Sequence, residues 1–297
     1  MNEIPSVGWI VGECLIDDFG DFRRVGGAPF NVACHLWSLG DRPGFISRVG
    51  QDPAAAEIRQ YLQRCPDMHA VLQEDATLPT GRVLVHDLGG GEHRFEILPQ
   101  QAYDAIAWDG ELQESIKNQP FWLYHGSLAF REDGPGRSTW RHLAAQAAWR
   151  FVDINLRAGN WEPNFLAELI QGASVLKCNQ EELDILRREF FLAGDSLQGA
   201  VAALAKHFSI AEVLVTRGAE GAIHWDGANL WQSRAPQVPI QDTVGAGDAF
   251  SAAWIHAKIR GRPVAQALRA ASDLAARVCT LTGALPRNPD EFYQDLM

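Results

Sequence analysis

Short apolar or β-branched runs alternate with segments of helical periodicity along almost the whole chain. This alternation predicts an α/β fold with a central, mostly parallel sheet. The predicted strands cover residues 7–14, 44–48, 121–124, 151–154, 174–177 and 212–216. The clearest predicted helices cover residues 29–39, 139–149 and 197–207.

One segment departs from this alternation. Residues 81–87 and 93–98 are two strand-like runs joined by the glycine-rich stretch 88–92, which is typical of a β-hairpin. A hairpin pairs antiparallel and cannot be a crossover unit of a parallel sheet. We therefore expect one α/β domain over residues 1–297, in which 81–98 project as a lid or a partner-binding flap, although an ordinary edge hairpin fits the pattern equally well.

Composition narrows the function classes. The 297 residues are 46% hydrophobic and carry a formal net charge of −11, which disfavours a nucleic-acid-binding surface. No apolar run approaches the roughly 18 residues that a membrane crossing requires, so we expect no membrane partner. The five cysteines are scattered without a CxxC pair, which favours reduced thiols in a cytoplasmic protein.

A glycine-rich turn near the C-terminus offers candidate chemistry. The sequence DTVGAGDAF at 242–250 runs directly into a helical pattern at 251–259. Backbone N–H groups at such a helix start favour an anion, and phosphate is the obvious candidate. Asp248 would lie beside that phosphate and could accept a proton from an attacking hydroxyl. A first-turn acid that only stabilises the helix is the alternative interpretation.

A second glycine turn, GGAPFNVA at 26–33, also leads into a helix. Paired glycines let the backbone approach a small ligand, and the Asn31 amide can both donate to and accept from sugar hydroxyls. The alternative is a tight turn in which Asn31 satisfies local backbone groups.

Together the two turns resemble the signatures of the ribokinase-like carbohydrate kinases, also called the PfkB family. The C-terminal signature D-T-x-G-A-G-D is matched without a gap over 242–248. Further matching motifs are GECLID at 12–17, NQEE at 179–182, TRG at 216–218 with Gly221, and GALP at 283–286. The resemblance implies a three-layer sandwich with a small β lid, and a kinase that uses ATP and Mg²⁺ to phosphorylate a sugar.

The resemblance also implies roles for individual residues. Asp248 would be the catalytic base, and the backbone of Gly245, Ala246 and Gly247 would form the anion hole. The sugar site would be built from Asp17, Gly27 and Asn31.

For the nucleotide and ions, the resemblance implies three groups. Asn179 and Glu182 would order Mg²⁺, often through water, although an N-capping pair explains both equally well. Thr216, Gly218 and Gly221 would form the nucleotide-binding turn, with Ser272 near the adenine. The carbonyls of Asp242 and Val244 would contribute to a K⁺ site, and the lid could form a homodimer contact.

Two features bear on which sugar is used. The sequence GAPFN at 27–31 resembles fructokinases, and NLR at 155–157 with Trp161 resembles the fructokinase and 2-keto-3-deoxygluconate kinase branch. Arg157 would reach substrate or phosphates, unless it forms a structural salt bridge. A Tyr-x-Arg element suited to an acidic sugar is replaced by EIL at 96–98.

These features favour a neutral ketohexose, with fructose phosphorylated to fructose 6-phosphate as the preferred hypothesis. The alternatives are a kinase of 2-keto-3-deoxygluconate or another sugar, and a catalytically silent regulator that binds a sugar or nucleotide.

Overall fold

A computed structural model describes residues 4–89, 92–117 and 119–294, and the side chains of residues 87–93 lie outside that description. In chain order the strands are β1 (Val7–Val11), β2 (Leu15–Asp18), β3 (Arg23–Gly26), β4 (Gly44–Gly50), β5 (Ala70–Asp75), β6 (Gly81–Gly89), β7 (Glu92–Ile97), β8 (Phe121–His125), β9 (Trp149–Asp153), β10 (Val175–Asn179), β11 (Glu212–Thr216), β12 (Ala222–Trp225) and β13 (Leu230–Ser233).

The helices are α1 (Ala28–Ser38), α2 (Pro53–Leu62), α3 (Gly110–Ile116), α4 (Pro135–Gln146), α5 (Pro163–Ile170), α6 (Gln180–Glu189), α7 (Leu197–Phe208), α8 (Ala246–Ile259), α9 (Val264–Val278) and α10 (Pro289–Tyr293). Single 3₁₀ turns occur at Ala102–Ala105, Leu128–Phe130 and Gly218–Glu220.

Within the described residues, the main sheet has nine strands in the order β13-β12-β11-β10-β9-β8-β1-β4-β5. All neighbouring pairs from β11 to β5 are parallel, and only β12 and β13 add antiparallel pairs at one edge. The predicted mostly parallel α/β sheet is therefore confirmed. Because β1 has β8 on one side and β4 on the other, the strand order reverses beside β1, where open α/β sheets bind ligands.

Strand β1 shows why the chain forms three layers. Trp9 and Val11 belong to the apolar core on one face of the sheet, and Ile10 belongs to the core on the other face. Successive side chains of a strand point to opposite faces, so burial on both faces requires a continuous apolar run. Helices α3 to α7 cover the first face, whereas α1, α2, α8, α9 and α10 cover the second.

Some predicted boundaries are wrong. The strand predicted over 7–14 ends at Val11. The Gly12 N–H still donates to the Ile46 carbonyl of β4, after which the chain leaves this sheet and begins β2 of the second sheet at Leu15. The helix predicted over 139–149 begins earlier, at Pro135, and ends at Gln146. Pro135 suits the first helical position, and Trp149 is already the first residue of β9.

A second sheet, which we call the lid, has the order β3-β2-β6-β7. The antiparallel β6–β7 pair is the predicted hairpin, although Gly90 and Gly91 of its turn lie outside the described residues. The short strands β2 and β3 were not predicted. They join the lid to the main sheet through residues 12–14. A dimer contact through the lid stays a prediction.

Two expectations from composition concern the chain as a whole. All five cysteines are free thiols, as predicted. No helix in the described part of the chain has both the length and the apolar character needed to cross a bilayer. The predicted cytoplasmic location and lack of nucleic-acid and membrane partners stay predictions.

The base of the lid is fixed by a buried ion pair. Arg131 donates to both carboxylate oxygens of Asp104, at 2.9 and 2.8 Å, and to the Leu98 carbonyl just after β7, at 2.7 Å. The two side chains are 4% and 6% exposed. Removing one partner would leave a buried charge unpaired.

We expect Arg131→Leu to lower the free energy of unfolding by about 3–5 kcal/mol, the usual cost of breaking a buried pair. Urea unfolding would measure this. The matched control is Arg141→Leu, because Arg141 binds Glu168 with the same two-pronged geometry but at 50% and 43% exposure. Exposed pairs contribute ~1 kcal/mol or less, so equal losses in the two variants would contradict the prediction.

Candidate active site

A cavity of about 390 Å³ opens at the carboxyl ends of β1, β9, β10 and β11, between the main sheet and the lid. Most of the predicted site residues line it: Asp17, Gly27, Asn31, Arg157, Asn179, Glu182, Thr216, Val244, Gly245, Gly247 and Asp248. A larger depression of about 710 Å³ along α6 contains none of them.

The anion-binding turn is the start of α8. Gly245 caps the helix with φ 80°, in the left-handed region, and a Cβ there would overlap Ala284. Both observations require glycine. Among the described residues, the N–H groups of Gly245, Gly247 and Asp248 have no hydrogen-bond partner. Unpaired N–H groups at a helix N-terminus are suited to bind an anion. The Ala246 N–H, also predicted for this site, instead donates to the Thr243 carbonyl at 3.3 Å.

Asp248 is held by a residue from the other end of the chain. Its Oδ2 accepts a 2.8 Å hydrogen bond from the Nδ2 of Asn31 in α1. Burial raises the pKa of Asp248 to about 6, and the negative Asp153 contributes, while Asn31, Lys177 and Arg157 oppose the rise. A carboxylate with a pKa near neutrality is a better proton acceptor than an ordinary aspartate.

Sequence reasoning missed a buried ion pair beside this turn. The Lys177 Nζ donates to the Asp153 Oδ2 at 2.6 Å, and both side chains are almost fully buried. A Cβ built on Gly247 would lie 3.2 Å from the same Nζ, so the ammonium group lies directly beside the anion-binding turn. The available signal was a charged residue inside an apolar strand, β10.

Attraction between the two groups keeps Lys177 charged. Burial by itself lowers the pKa of Lys177, but the charge of Asp153 and the hydrogen bond between them outweigh it and raise the pKa overall. The Ser251 hydroxyl, at 2.8 Å, also donates to Asp153. The pair therefore holds the ammonium group of Lys177 in a fixed position beside the turn predicted to bind phosphate, with its charge balanced by Asp153.

The predicted sugar residues lie on the lid side of the cavity. Asp17 is in β2, and burial raises its pKa to about 7, against the opposing charge of Arg157. Gly27 precedes α1 with φ 109°, and a Cβ there would lie 2.5 Å from the Glu13 carbonyl oxygen. Glycine is therefore required at the wall that presents Asn31.

Arg157 follows β9 on an exposed loop and lines the cavity. In the described parts of the chain its guanidinium group has no hydrogen-bond or ion-pair partner, so the structural salt bridge considered above is absent there. Its positive charge lowers the pKa values of Asp17 and Asp248. Arg157 is thus available to an anionic or hydroxylated ligand.

Asn179 and Glu182 form the N-capping pair, and their position also remains compatible with the predicted Mg²⁺ site. The Asn179 Oδ1 accepts from the Glu182 N–H, and the Glu182 Oε2 accepts from the Asn179 N–H, each at 2.8 Å, which is a complete capping box. The remaining Glu182 oxygen accepts from the Leu156 N–H at 2.7 Å.

Both side chains of this pair nevertheless line the cavity. A carboxylate oxygen has a second acceptor position, so this pair fits Mg²⁺ held through its waters. No cluster of three acidic, histidine or cysteine side chains that could hold a metal directly occurs in the part of the chain that the structure describes.

Of the residues predicted to bind the nucleotide, only Thr216 lines the cavity. Thr216 ends β11 and lines the cavity. Gly218 and Gly221, with φ 54° and 92°, shape the adjoining turn but do not line the cavity. Ser272 is buried in α9, where its hydroxyl bonds to the Ser233 hydroxyl at 2.6 Å, and its predicted position near adenine stays a prediction.

The predicted monovalent-cation residues belong to the loop before α8. The carboxylate of Asp242 accepts from the N–H groups of Val244, at 3.0 Å, and Gly283, at 2.9 Å. These bonds fix the conformation of the loop. They use the side-chain oxygens of Asp242 and not the backbone carbonyls of Asp242 and Val244, which are the groups predicted to bind the cation.

Comparison with known proteins identifies the family. Residues 20–291 match the pfkB family carbohydrate kinase model. The fructokinase of Escherichia coli is 31% identical over an alignment of 257 positions, which covers 82% of this chain and 81% of that protein. The aminoimidazole riboside kinase of Salmonella typhimurium (strain LT2) is 26% identical over an alignment of 313 positions, gaps included, which covers 97% of this chain and 92% of that relative.

Solved structures agree on the fold. A fructokinase double mutant from Vibrio cholerae O395, with fructose, ADP and a potassium ion bound, superposes with a TM-score of 0.80 at 25% identity over 100% of both chains. The fructokinase of Xylella fastidiosa with bound ATP gives 0.81 at 20% identity over 99% of both chains. The three-layer architecture with its lid is the ribokinase-like fold, and the chain belongs to the PfkB family of carbohydrate kinases, ATP-dependent sugar kinases.

Proposed function

We propose that the chain transfers the γ-phosphoryl group of ATP to a neutral ketohexose, and that it converts fructose to fructose 6-phosphate. The proposal rests on the start of α8, where Asp248, held by Asn31, adjoins unpaired backbone N–H groups. The fructokinase relatives and the neighbour that contains fructose and ADP support the choice of sugar.

The proposed reaction assigns each group one task. Asp248 accepts the proton of the sugar hydroxyl while that oxygen bonds to the γ-phosphorus, and the bond from this phosphorus to the bridging oxygen of ADP breaks. Charge spreads over the transferred oxygens in such a transition state. The N–H groups around Gly247 and the ammonium group of Lys177 are placed to stabilise that charge.

Two cations belong to the same proposal. Asn179 and Glu182 would hold Mg²⁺ through its waters, and the ion would neutralise charge on the ATP phosphates. The carbonyls of Asp242 and Val244 would contribute to a monovalent-cation site. Neighbouring structures contain calcium in one case and potassium in another, which supports a divalent and a monovalent site without identifying the ions.

The charge of the cavity favours a neutral sugar over an acidic one. Its lining carboxyl groups are those of Glu13, Asp17, Asp153, Glu182 and Asp248. Of its two cations, Lys177 is paired with Asp153, and Arg157 lacks an ion-pair partner among the described residues. Burial raises the pKa of Glu13 to about 8, so the negative charge comes from the other carboxyl groups. A sugar carboxylate would be repelled by this set. This arrangement disfavours 2-keto-3-deoxygluconate.

We expect fructose to have a kcat/KM at least ~10-fold above that of 2-keto-3-deoxygluconate, since one repulsive contact of about 1.4 kcal/mol gives that factor. ADP release measured over ketoses, aldoses, acidic sugars and aminoimidazole riboside tests this. The riboside is included because the Salmonella relative matches nearly the whole chain. A preference for the acidic sugar or the riboside would replace fructose, and sugar binding without any turnover would favour the silent regulator.

Replacing the base gives a second test. Asp248→Asn should lower kcat by at least ~100-fold, the low end of general-base contributions, and leave the sugar dissociation constant within about threefold because the amide keeps the shape of the side chain. Steady-state kinetics and calorimetry measure the two quantities. Asp290→Asn, an exposed acid in the first turn of α10, is the control, and a fully active Asp248 variant would contradict the assignment.

The pH profile gives a third test. Burial raises the pKa of Asp248 to about 6 and that of Asp17 to about 7, and the base acts only when deprotonated. We therefore expect kcat/KM to fall below pH 6–7, whereas an unshifted aspartate would maintain activity to about pH 4. An acid limb near pH 4 in the wild type would show that Asp248 titrates normally.

A further inference from the structure

A carboxyl group in the cavity has no task in the proposed reaction. Glu13 lies in the linker between β1 and β2, is 3% exposed and lines the cavity with Asp17 and Asp248. Its Oε2 is buried and has no hydrogen-bond partner. A buried polar atom without a partner is costly, so this oxygen requires a ligand group or water.

A second unpartnered acceptor lies in the same cavity. The Asn31 amide donates its Nδ2 to Asp248, and its Oδ1 is buried without a partner. A carboxylate only accepts hydrogen bonds, so the amide nitrogen must face Asp248 and the oxygen must remain an acceptor. Gly27 contacts both residues: a Cβ there would lie 3.3 Å from the Glu13 Cγ, and its carbonyl accepts from the Asn31 N–H at 2.8 Å. Glu13 and Asn31 therefore belong to the same wall of the cavity.

The charges around Glu13 decide which ligand fits. Burial raises its pKa to about 8; nearby backbone N–H groups oppose the rise, the charge of Asp248 adds to it and Arg157 counteracts it. At neutral pH the group is largely a neutral acid, which can accept from and donate to a hydroxyl. A sugar hydroxyl can both donate to and accept from the Glu13 carboxyl, and a neighbouring hydroxyl can supply the donor that the Asn31 Oδ1 lacks.

We propose that Glu13 is a specificity-determining residue that binds a sugar hydroxyl, other than the one phosphorylated, through Oε2 beside the Asn31 amide oxygen. The proposal rests on the proposed function in taking the ligand to be a sugar. The phosphorylated hydroxyl belongs to Asp248, so Glu13 acts on recognition and not on proton transfer.

The test compares wild type, Glu13→Leu and Glu13→Gln on fructose and on its 1-, 3- and 4-deoxy analogues. Leucine removes the polar atoms at similar length, and glutamine keeps a donor and an acceptor. We expect Glu13→Leu to raise the KM for fructose about 10- to 100-fold, the range for a lost hydrogen bond to a buried acidic group. Glu13→Gln should stay within about threefold, and the KM for ATP should change less than twofold in both.

The decisive readout is the pattern over the deoxy analogues. Wild type should lose at least ~10-fold in kcat/KM on one analogue, and Glu13→Leu should show no such loss on that analogue, because the contact is already gone. The same loss in both proteins on all three analogues would overturn the proposal. If the leucine variant fails to unfold cooperatively on heating, Glu13→Ser, which leaves room for water, takes its place in the same comparison.

Failure of the proposed function gives a different result. If wild type does not use fructose, that proposal falls, and the comparison is repeated with the best sugar of the substrate panel and its monodeoxy analogues. If wild type uses fructose but Glu13→Leu matches it throughout, only the role of Glu13 falls. If wild type neither binds nor phosphorylates any sugar, both fall.

Discussion

The hydrogen bond from Asn31 to Asp248 is the contact on which the site depends. It joins residues 217 positions apart, and it forms only if α1 and α8 both begin at the same cavity. Glycines at 27 and 245 set those starting points. The two helices pack against each other through one apolar core, which includes Phe30 and Phe250. Core packing therefore fixes the direction of the Asp248 carboxylate, the proposed base, and a change far from the cavity can misplace it.

The electrostatics of the cavity give a reason why the proposed phosphoryl transfer from ATP to a sugar would need added cations. Lys177 is already neutralised by Asp153, so Arg157 faces the carboxyl groups of Asp17 and Asp248 without further positive charge from described side chains. Burial raises the pKa of Asp248 to about 6, and the charge of Asp153 adds to the rise. The excess of carboxylates around the cavity would repel the phosphates of ATP. A metal ion carried in with the nucleotide offsets that repulsion, which the local N–H groups do only in part.

The sequence predicted those parts of the site that are local along the chain. Asp248 and its glycine turn occupy seven consecutive residues, so one motif carries both the turn and the carboxylate to which the proposal assigns anion binding and proton transfer. Lys177 and Glu13 were missed because each lies in or beside a run that predicts only a buried strand. Their chemistry arises when parallel strands bring their carboxyl ends to one edge, and no spacing rule along the chain encodes that neighbourhood.

The same limit applied to the fold. The long apolar strand β1 was predicted, but its end was placed at residue 14 because Cys14 and Leu15 continue the apolar pattern in another sheet. The four-residue strands β2 and β3 are too short for periodicity to reveal. For Asn179 and Glu182 the sequence allows either an N-capping pair or a pair that orders Mg²⁺. The structure contains the complete capping box, and both side chains also line the cavity.

The linker at residues 12–14, between β1 and β2, also connects the proposed recognition of the sugar with the position of the lid over the cavity. Glu13 lies on that linker, and Asp17 lies in β2 of the lid immediately after it. Any movement of the lid relative to the main sheet must therefore carry Asp17 and bend the segment that holds Glu13. A sugar bound as proposed by Glu13, Asp17 and Asn31 would contact the linker, the lid and α1 at once, so the binding energy of its hydroxyls would also hold the lid over the cavity. Closure excludes water, which otherwise competes as the phosphoryl acceptor, and a ligand that lacks those hydroxyls loses affinity and protection from hydrolysis together.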